Sequence, residues 1–186
     1  MSEEITLKWE GPYALKDFLT KHKEYEKPGV YFWISPDELG VQNISYIGKS
    51  ESSIRKRMIE HYRNLIAGLY TMLPHERINS KEEWRPDTSL PNVIKVITCE
   101  EKYIEIIKDG FKLANDPQTS TIYVATLEKD KTKHVERQLL FDIKPSGTKW
   151  GTKTEPPNPI TIKHKASSEL QSLINLAKAR LTNEEQ

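Results

Sequence analysis

The segment from residue 28 to residue 48, PGVYFWISPDELGVQNISYIG, decides the fold. Its first part, Pro28 to Ile34, is rich in β-branched and aromatic residues and is closed by the turn-forming Ser35-Pro36-Asp37, which predicts a strand. Its last part, Asn43 to Gly48, predicts a second short strand. Because the connection between them is polar and contains Gly40, we expect an antiparallel hairpin.

Predicted helices and strands follow the hairpin. Ser52 or Ser53 predicts the N-cap of a helix whose apolar residues keep a helical period to about Gly68. The strongest strand prediction is Thr121 to Leu127, TIYVATL, and Asp130 to Ile143 predicts a helix that is stopped by Lys144-Pro145. Three further elements are predicted: a strand over Val93 to Thr98, a helix over Glu100 to Ala114, and a C-terminal amphipathic helix over Ala166 to Leu181.

The pattern is that of one α+β domain with appendages. We divide the chain into an N-terminal extension (1–27), a domain over 28–148 with an insertion at about 71–119, and a basic segment with the C-terminal helix (149–186), packed on the same domain. The insertion begins irregularly, because periodicity disappears between Thr71 and Pro91. Such loops are typically functional or disordered.

Composition excludes several classes of protein. The 186 residues contain one cysteine, which excludes a disulfide framework and a CxxC metal site. No apolar run approaches the roughly 20 residues that cross a bilayer, and the N-terminus is acidic, so we expect a cytoplasmic protein without membrane contact. A net charge of +1 argues against a basic surface all over the molecule. Two local basic stretches, Lys49 to Arg63 and Lys144 to Lys165, form either a face for an anionic ligand or ordinary solvated surface.

One acidic residue interrupts an apolar helix face. In the helix from Asp130 to Ile143, the apolar side chains span an arc of roughly 140° at about 100° per residue, and Glu136 lies inside that arc. A carboxylate directed toward a core destabilises the fold unless it is paired, protonated or bound to a cation. Glu136 is therefore a buried ion-pair partner, a residue at the rim of the helix face, or a metal ligand.

Other polar residues could converge near the first helix. Arg57 and His61 are four residues apart and stack on one helix face, and Tyr31 and Tyr46 lie on the two hairpin strands. Each could simply be a boundary or packing residue. Together with Lys49 and Glu136 they form an unusual set, which we expect to converge on one side of a small sheet.

The order of these residues resembles the signature of the GIY-YIG nuclease superfamily. The matching parts are Gly29-Val30-Tyr31, Tyr46-Ile47-Gly48 followed by Lys49-Ser50, the helix with Arg57 and His61, and later Glu136 with Lys144-Pro145. The resemblance covers about Pro28 to Thr148, apart from the insertion.

Two departures from that signature stand out. The spacing from Tyr46 to Arg57 is one residue longer than in many members, so Arg55 competes for the role, although Arg57 has the better spacing to His61. The asparagine that often follows the proline of the family is replaced by Thr148, and Asn158 is only a remote substitute.

The resemblance implies a small antiparallel three-stranded sheet flanked by helices, and it implies a metal-dependent phosphodiesterase. The implied catalytic residues are Tyr31, Tyr46, Lys49, Arg57, His61 and Glu136. Glu136 would bind Mg²⁺, with Mn²⁺ as the alternative, and Arg57 would bind nonbridging phosphate oxygens. Tyr31 is the candidate general base, although lowering a phenol pKa by about 3 units requires roughly 4 kcal/mol of preferential phenolate stabilisation. His61 as the base, with Tyr31 orienting the water, is the variant.

The expected substrate is double-stranded DNA, and a compact enzyme of this kind resembles a restriction-type endonuclease, expected to act as a homodimer on a palindromic site. Trp84, Arg77 and Arg85 of the insertion would read bases or anchor the loop to the protein's own surface. One alternative is a structure-specific repair, recombination or mobile-element nuclease. Another is a nucleic-acid-binding module without catalysis.

Overall fold

The computed structural model describes residues 3–36, 39–66, 108, 110–112, 114–117, 120–145 and 155–184, with side chains up to residue 179. Its strands are β1 (Glu4–Lys8), β2 (Glu10–Ala14), β3 (Gly29–Pro36), β4 (Gln42–Ser50), β5 (Thr121–Thr126) and β6 (Thr161–Lys165). Its helices are α1 (Leu15–Lys21), α2 (Ile54–Ile66), α3 (Lys129–Ile143) and α4 (Ser168–Glu184), with a 3-10 turn over Lys23–Tyr25.

The main sheet has four antiparallel strands in the order β2-β5-β3-β4, and a separate parallel pair joins β1 to β6. The expected three-stranded sheet is therefore wrong in strand number, although its α+β class is confirmed. The additional edge strand is β2, EGPYA, whose Gly11 and Pro12 are unusual in strands. Proline is tolerated at an edge because its missing N–H removes no bond to an inner neighbour.

The predicted hairpin is confirmed, and each of its strands extends beyond the predicted end. Tyr31 pairs with Gly48 and Trp33 pairs with Tyr46, with an irregularity in register between Trp33 and Ile34. Strand β3 also pairs with β5 along the other edge, so it lies inside the sheet.

Alternate side chains of β3 enter two different cores, as expected from the two-residue period of a strand. Val30 and Phe32 pack with apolar residues of α3 and α4. Tyr31 and Trp33 pack on the other face, against residues of α1 and α2. The sheet therefore separates α3 from α2. Side chains of these two helices can approach each other only around the edge strand β4.

The predicted helices around Ile54, Asp130 and the C-terminus are confirmed, the last beginning at Ser168 rather than Ala166. The predicted strand Val93 to Thr98, most of the insertion and most of the helix over 100–114 lie outside the described residues, as does Thr148. In the described part of the chain, no helix combines the length and apolar character needed to span a membrane.

Candidate active site

The hairpin register brings two phenols together above a glycine. A Cβ atom on Gly48 would lie 2.3 Å from the Tyr31 hydroxyl oxygen, 2.5 Å from its Cζ and 2.7 Å from Cε1 of Tyr46. The Tyr31 and Tyr46 ring centroids are 6.1 Å apart. Since real Cβ atoms do not approach so closely, only glycine at position 48 allows both rings their positions.

A serine turn aims α2 at these rings. The Ser53 hydroxyl oxygen accepts the N–H of Lys56 at 3.0 Å, which confirms the predicted N-cap and identifies Ser53 as the capping residue. The Ser50 hydroxyl oxygen accepts the N–H of Ser53 at 3.0 Å. The N–H of Ile54 donates to the carbonyl of Lys27 at 2.9 Å. This bond attaches the first residue of α2 to the segment that leads into β3.

His61 lies at the centre of the site. Its Nε2 is 2.6 Å from the Tyr31 hydroxyl oxygen, and both residues are buried. Three rings meet the imidazole nearly edge to face, those of Tyr31, Trp33 and Tyr46, at centroid distances of 5.6, 5.8 and 5.9 Å. The imidazole is therefore held in one orientation by aromatic packing and a hydrogen bond.

Burial keeps both members of this hydrogen bond neutral. It lowers the pKa of His61 to about 3, and the charge of Arg57 acts in the same direction. Burial also raises the pKa of Tyr31 well above its usual range, Tyr46 adds to that effect, and the charge and hydrogen bond of Arg57 oppose it. The bond at neutral pH therefore joins a phenol to an imidazole, rather than a phenolate to an imidazolium.

Of the two candidate arginines, Arg57 is the one near the tyrosines. It hydrogen-bonds Tyr31 and forms an ion pair with Glu60 at 2.7 Å. Arg55 instead donates to the carbonyl of Leu19 at 2.8 Å and lies 3.3 Å from the carboxylate of Glu26.

Glu136 lies on α3, which packs on the opposite face of the sheet from Tyr31 and α2. The expected convergence of the whole set on one side of the sheet is therefore wrong for this residue, although the charges of Lys49 and Arg57 reach it. The residue is half-buried, and burial raises its pKa, while the charges of Lys49 and Arg57 lower it. Within the described residues the carboxylate has no hydrogen bond and no ion pair. It is thus partly desolvated without a direct partner, a state that binding of a cation would stabilise.

Lys49 and Glu51 extend the site on the side of α3. Lys49 Nζ lies 2.5 Å from a carboxylate oxygen of Glu51. That contact lowers the pKa of the exposed Glu51 carboxyl, and the charges of Lys129 and Lys133 lower it further. We call Lys49, Lys129 and Lys133 the lysine rim. The carboxylate of Glu51 lies within the electrostatic reach of all three lysines.

Within the residues whose positions are described, no group of three His, Cys, Asp or Glu side chains could hold a metal ion. Glu136 would therefore be a single protein ligand. This fits Mg²⁺, which commonly keeps several waters and binds through one or two carboxylates and substrate oxygens. The half-buried carboxylate, which has no ion pair among the described residues, is compatible with that ion.

Trp33 and the spatial role of Gly48 were not predicted from the sequence. Trp33 is two residues after Tyr31 and so lies on the same face of β3. The two-residue period of a strand could have predicted this shared face. Glu51 was also missed, because only the folded chain brings α3 near it. Asn158, the remote substitute for the expected asparagine, is exposed.

Comparison with protein-family models, with curated proteins and with solved structures gives no match to this chain. The resemblance to the nuclease superfamily consequently depends on the residues themselves and on their arrangement.

Proposed function

We propose that the chain is a metal-dependent endonuclease that hydrolyses phosphodiester bonds in double-stranded DNA, with a restriction-type enzyme as the favoured kind. The observation that carries the proposal is the cluster at the edge of the sheet. There a neutral phenol–imidazole pair lies beside Arg57, and the charge of that arginine acts on Glu136, a carboxylate with no ion-pair partner among the described residues. Activation of water, binding of phosphate and binding of a metal each have a candidate group.

Tyr31 and His61 would remove the proton of the attacking water in one concerted step. A water O–H bond breaks as the Tyr31 oxygen gains that proton, while the phenol's own proton passes to Nε2 of His61. The hydroxide then attacks phosphorus, the leaving oxygen departs and takes a proton from solvent, and His61 returns its proton through Tyr31 to solvent. This route avoids a free phenolate, which the burial of Tyr31 disfavours. The imidazolium that forms instead is opposed by burial and by the charge of Arg57, so the route requires the bound phosphate to offset that charge.

Arg57 would exchange its present partners for the substrate. Its ion pair with Glu60 is largely exposed to solvent, where such pairs contribute little to stability. A phosphate offers the guanidinium two parallel hydrogen bonds, which are stronger. Movement of Arg57 toward phosphate would also uncover the Tyr31 hydroxyl, which is buried in the free chain.

Glu136 would hold Mg²⁺, with Mn²⁺ as a substitute. The ion would supply charge neutralisation on the phosphate and on the leaving oxygen. Lys49, whose charge acts on Glu136, would support the same region. Because the described residues form one such centre, cleavage of both strands would require two copies, and we propose a homodimer.

Tyr31→Phe tests the proton route. The variant leaves His61 Nε2 without its phenol partner, so we expect a loss of about 1 to 3 kcal/mol in unfolding free energy. We also expect single-turnover cleavage to fall by roughly a hundredfold or more. Tyr62→Phe, which removes a half-buried α2 hydroxyl that donates to Asn115 rather than to His61, is the control. Unchanged cleavage by Tyr31→Phe would remove Tyr31 from the proton route.

A Mg²⁺ titration on mixed plasmid DNA, followed by sequencing of the product ends, separates the candidate functions. A restriction-type enzyme gives discrete fragments with a common end sequence. A structure-specific nuclease prefers branched substrates over linear ones. Salt-sensitive binding without cleavage at any metal concentration would leave only a binding module and would contradict the proposal.

A further inference from the structure

We infer that Trp33 is a positioning residue of this site, which acts by holding the His61 imidazole against the Tyr31 hydroxyl. The inference rests on the proposed function for its catalytic meaning. Its structural part, a restraint of one side chain by another, can be measured without any substrate.

The geometry places the two rings in a defined relationship. The Trp33 and His61 centroids are 5.8 Å apart with an interplanar angle of 78°, and both residues are buried. Trp33 is two residues after Tyr31 on β3, so the indole and the phenol lie side by side on the face that α2 covers. An imidazole bonded to Tyr31 therefore has the indole as its neighbour along the strand.

The backbone of Trp33 is also fixed. Its carbonyl accepts the hydroxyl of Ser45 at 3.0 Å, and Trp33 pairs in register with Tyr46 on β4. This bond lies at the point where the register between β3 and β4 becomes irregular. The strand is held on both sides, by β4 and by β5, so the backbone that carries the indole is fixed within the sheet.

A smaller side chain at position 33 would leave a void beside the imidazole. The His61 ring could then tilt away from Tyr31, and water could enter. Among the described residues, the charged and titratable groups around His61 include Arg57, which disfavours the imidazolium, and the hydroxyls of Tyr31 and Tyr46. Entry of water would weaken the effect of burial and make protonation easier.

The test compares Trp33→Leu and Trp33→Phe with Trp9→Phe as a matched control. Trp9 is also a buried tryptophan, but it stacks on Phe32 in the other core at 4.0 Å. Histidine-selective NMR, assigned with His61→Gln, gives the pKa and tautomer of His61. Single-turnover cleavage and DNA affinity are measured on the same samples.

For Trp33→Leu we expect the measured His61 pKa to rise by about 1 unit or more. We expect the cleavage rate to fall roughly tenfold or more with DNA affinity within about twofold of the original. Trp33→Phe should keep the His61 pKa and the cleavage rate closer to those of the original chain than Trp33→Leu does. Trp9→Phe should leave the His61 signal unchanged.

An unchanged His61 pKa and tautomer in both folded Trp33 variants would overturn the inference, as would an equal change in Trp9→Phe. If Trp33→Leu does not fold, an unaltered His61 signal and rate in Trp33→Phe, compared with Trp9→Phe, overturns it. If the original chain cleaves no DNA, the proposed function fails, whereas the NMR comparison still decides whether Trp33 positions His61.

Discussion

The hydroxyl of Tyr31 and Nε2 of His61 are 2.6 Å apart although thirty positions separate the two residues in the chain. Strand β3 supplies the first and helix α2 the second, and both side chains are buried. A buried hydrogen bond between two ionisable groups is a demanding feature, because loss of either partner leaves a desolvated polar atom. The hydrogen bond therefore depends on the residues that fix the positions of β3 and α2 relative to each other and the position of the Tyr31 ring.

Gly48 is one such determinant. In Gly48→Ala the new methyl group would overlap the Tyr31 hydroxyl and ring, so either the phenol or strand β4 must move. We expect a loss of about 1 to 3 kcal/mol in unfolding free energy, as for other overpacked sites. Displacement of the phenol by an ångström should lower cleavage roughly a hundredfold.

Gly40→Ala provides the comparison for that variant. Its Cβ would meet no atom within 4 Å, and its φ of +76° carries only the strain of a left-handed backbone. Thermal denaturation and single-turnover cleavage of the two variants separate a clash in the site from the general effect of replacing a glycine. Full activity in a folded Gly48→Ala protein would show that the close approach of the two tyrosines is not needed.

The neutral state of His61 makes stability depend on pH. Because its folded pKa is about 3, below the ordinary value of 6.5, the unfolded chain binds a proton more readily. The contribution of His61 to the free energy of unfolding is then fully present above pH 6.5. It falls by about 1.4 kcal/mol per pH unit as the pH decreases from there toward 3. His164, whose pKa burial lowers to about 4, acts in the same direction.

His61→Gln, which stays neutral, should reduce that slope in urea denaturation between pH 4 and pH 6, and His61→Gln combined with His164→Gln should reduce it further. A slope that both replacements leave unchanged would mean that neither imidazole is buried in its neutral form.

How far sequence could anticipate this molecule depends on how local each feature is. The hairpin strands were identified because Val30 and Phe32 belong to a run of strand-forming residues, and Ser53 was identified as a cap from its position before a helix. Strand β2 was missed because Gly11 and Pro12 argue against a strand, and only the edge position makes them acceptable.

Long-range contacts were beyond the sequence patterns. The parallel pairing of β1 with β6 joins segments from opposite ends of the described chain, for example Leu7 with His164. The contact between Trp33 and His61 likewise requires the packing of a helix on a sheet. The partial burial of Glu136, in contrast, could be expected from local sequence, because this acid lies within the apolar arc of its own helix.

Glu51 is expected to weaken DNA binding. It neutralises Lys49 through a direct contact and lies within reach of the other two lysines of the rim. In Glu51→Gln these lysines become available to phosphate, so affinity for duplex DNA should rise several-fold and become more salt-dependent. Fluorescence anisotropy in EDTA over a range of salt concentrations measures both effects.

Glu24→Gln removes another exposed carboxylate, which instead contacts His22, and it controls for net charge. If both variants bind DNA alike, the lysine rim is not a phosphate-binding surface.

Glu136 should lower the stability of the free chain. Burial raises its pKa, so the folded state binds the proton more tightly and stability is lost as the pH rises through the folded pKa. Glu136→Gln should consequently melt at a higher temperature than the original chain at pH 7, and the difference should shrink toward pH 4. Millimolar Mg²⁺ should raise the melting temperature of the original chain alone. A lower melting temperature for Glu136→Gln at pH 7 would mean that the carboxylate has a stabilising partner.

The most direct measurement is Mg²⁺-dependent conversion of supercoiled plasmid by the original chain, by Glu136→Gln and by Asp130→Asn, which removes an exposed carboxylate from the first turn of the same helix. We predict cleavage by the original chain and by Asp130→Asn, and loss of cleavage by Glu136→Gln, which should still bind the DNA. Cleavage by Glu136→Gln at the original rate, or no cleavage by the original chain with Mg²⁺ or Mn²⁺, would contradict the account.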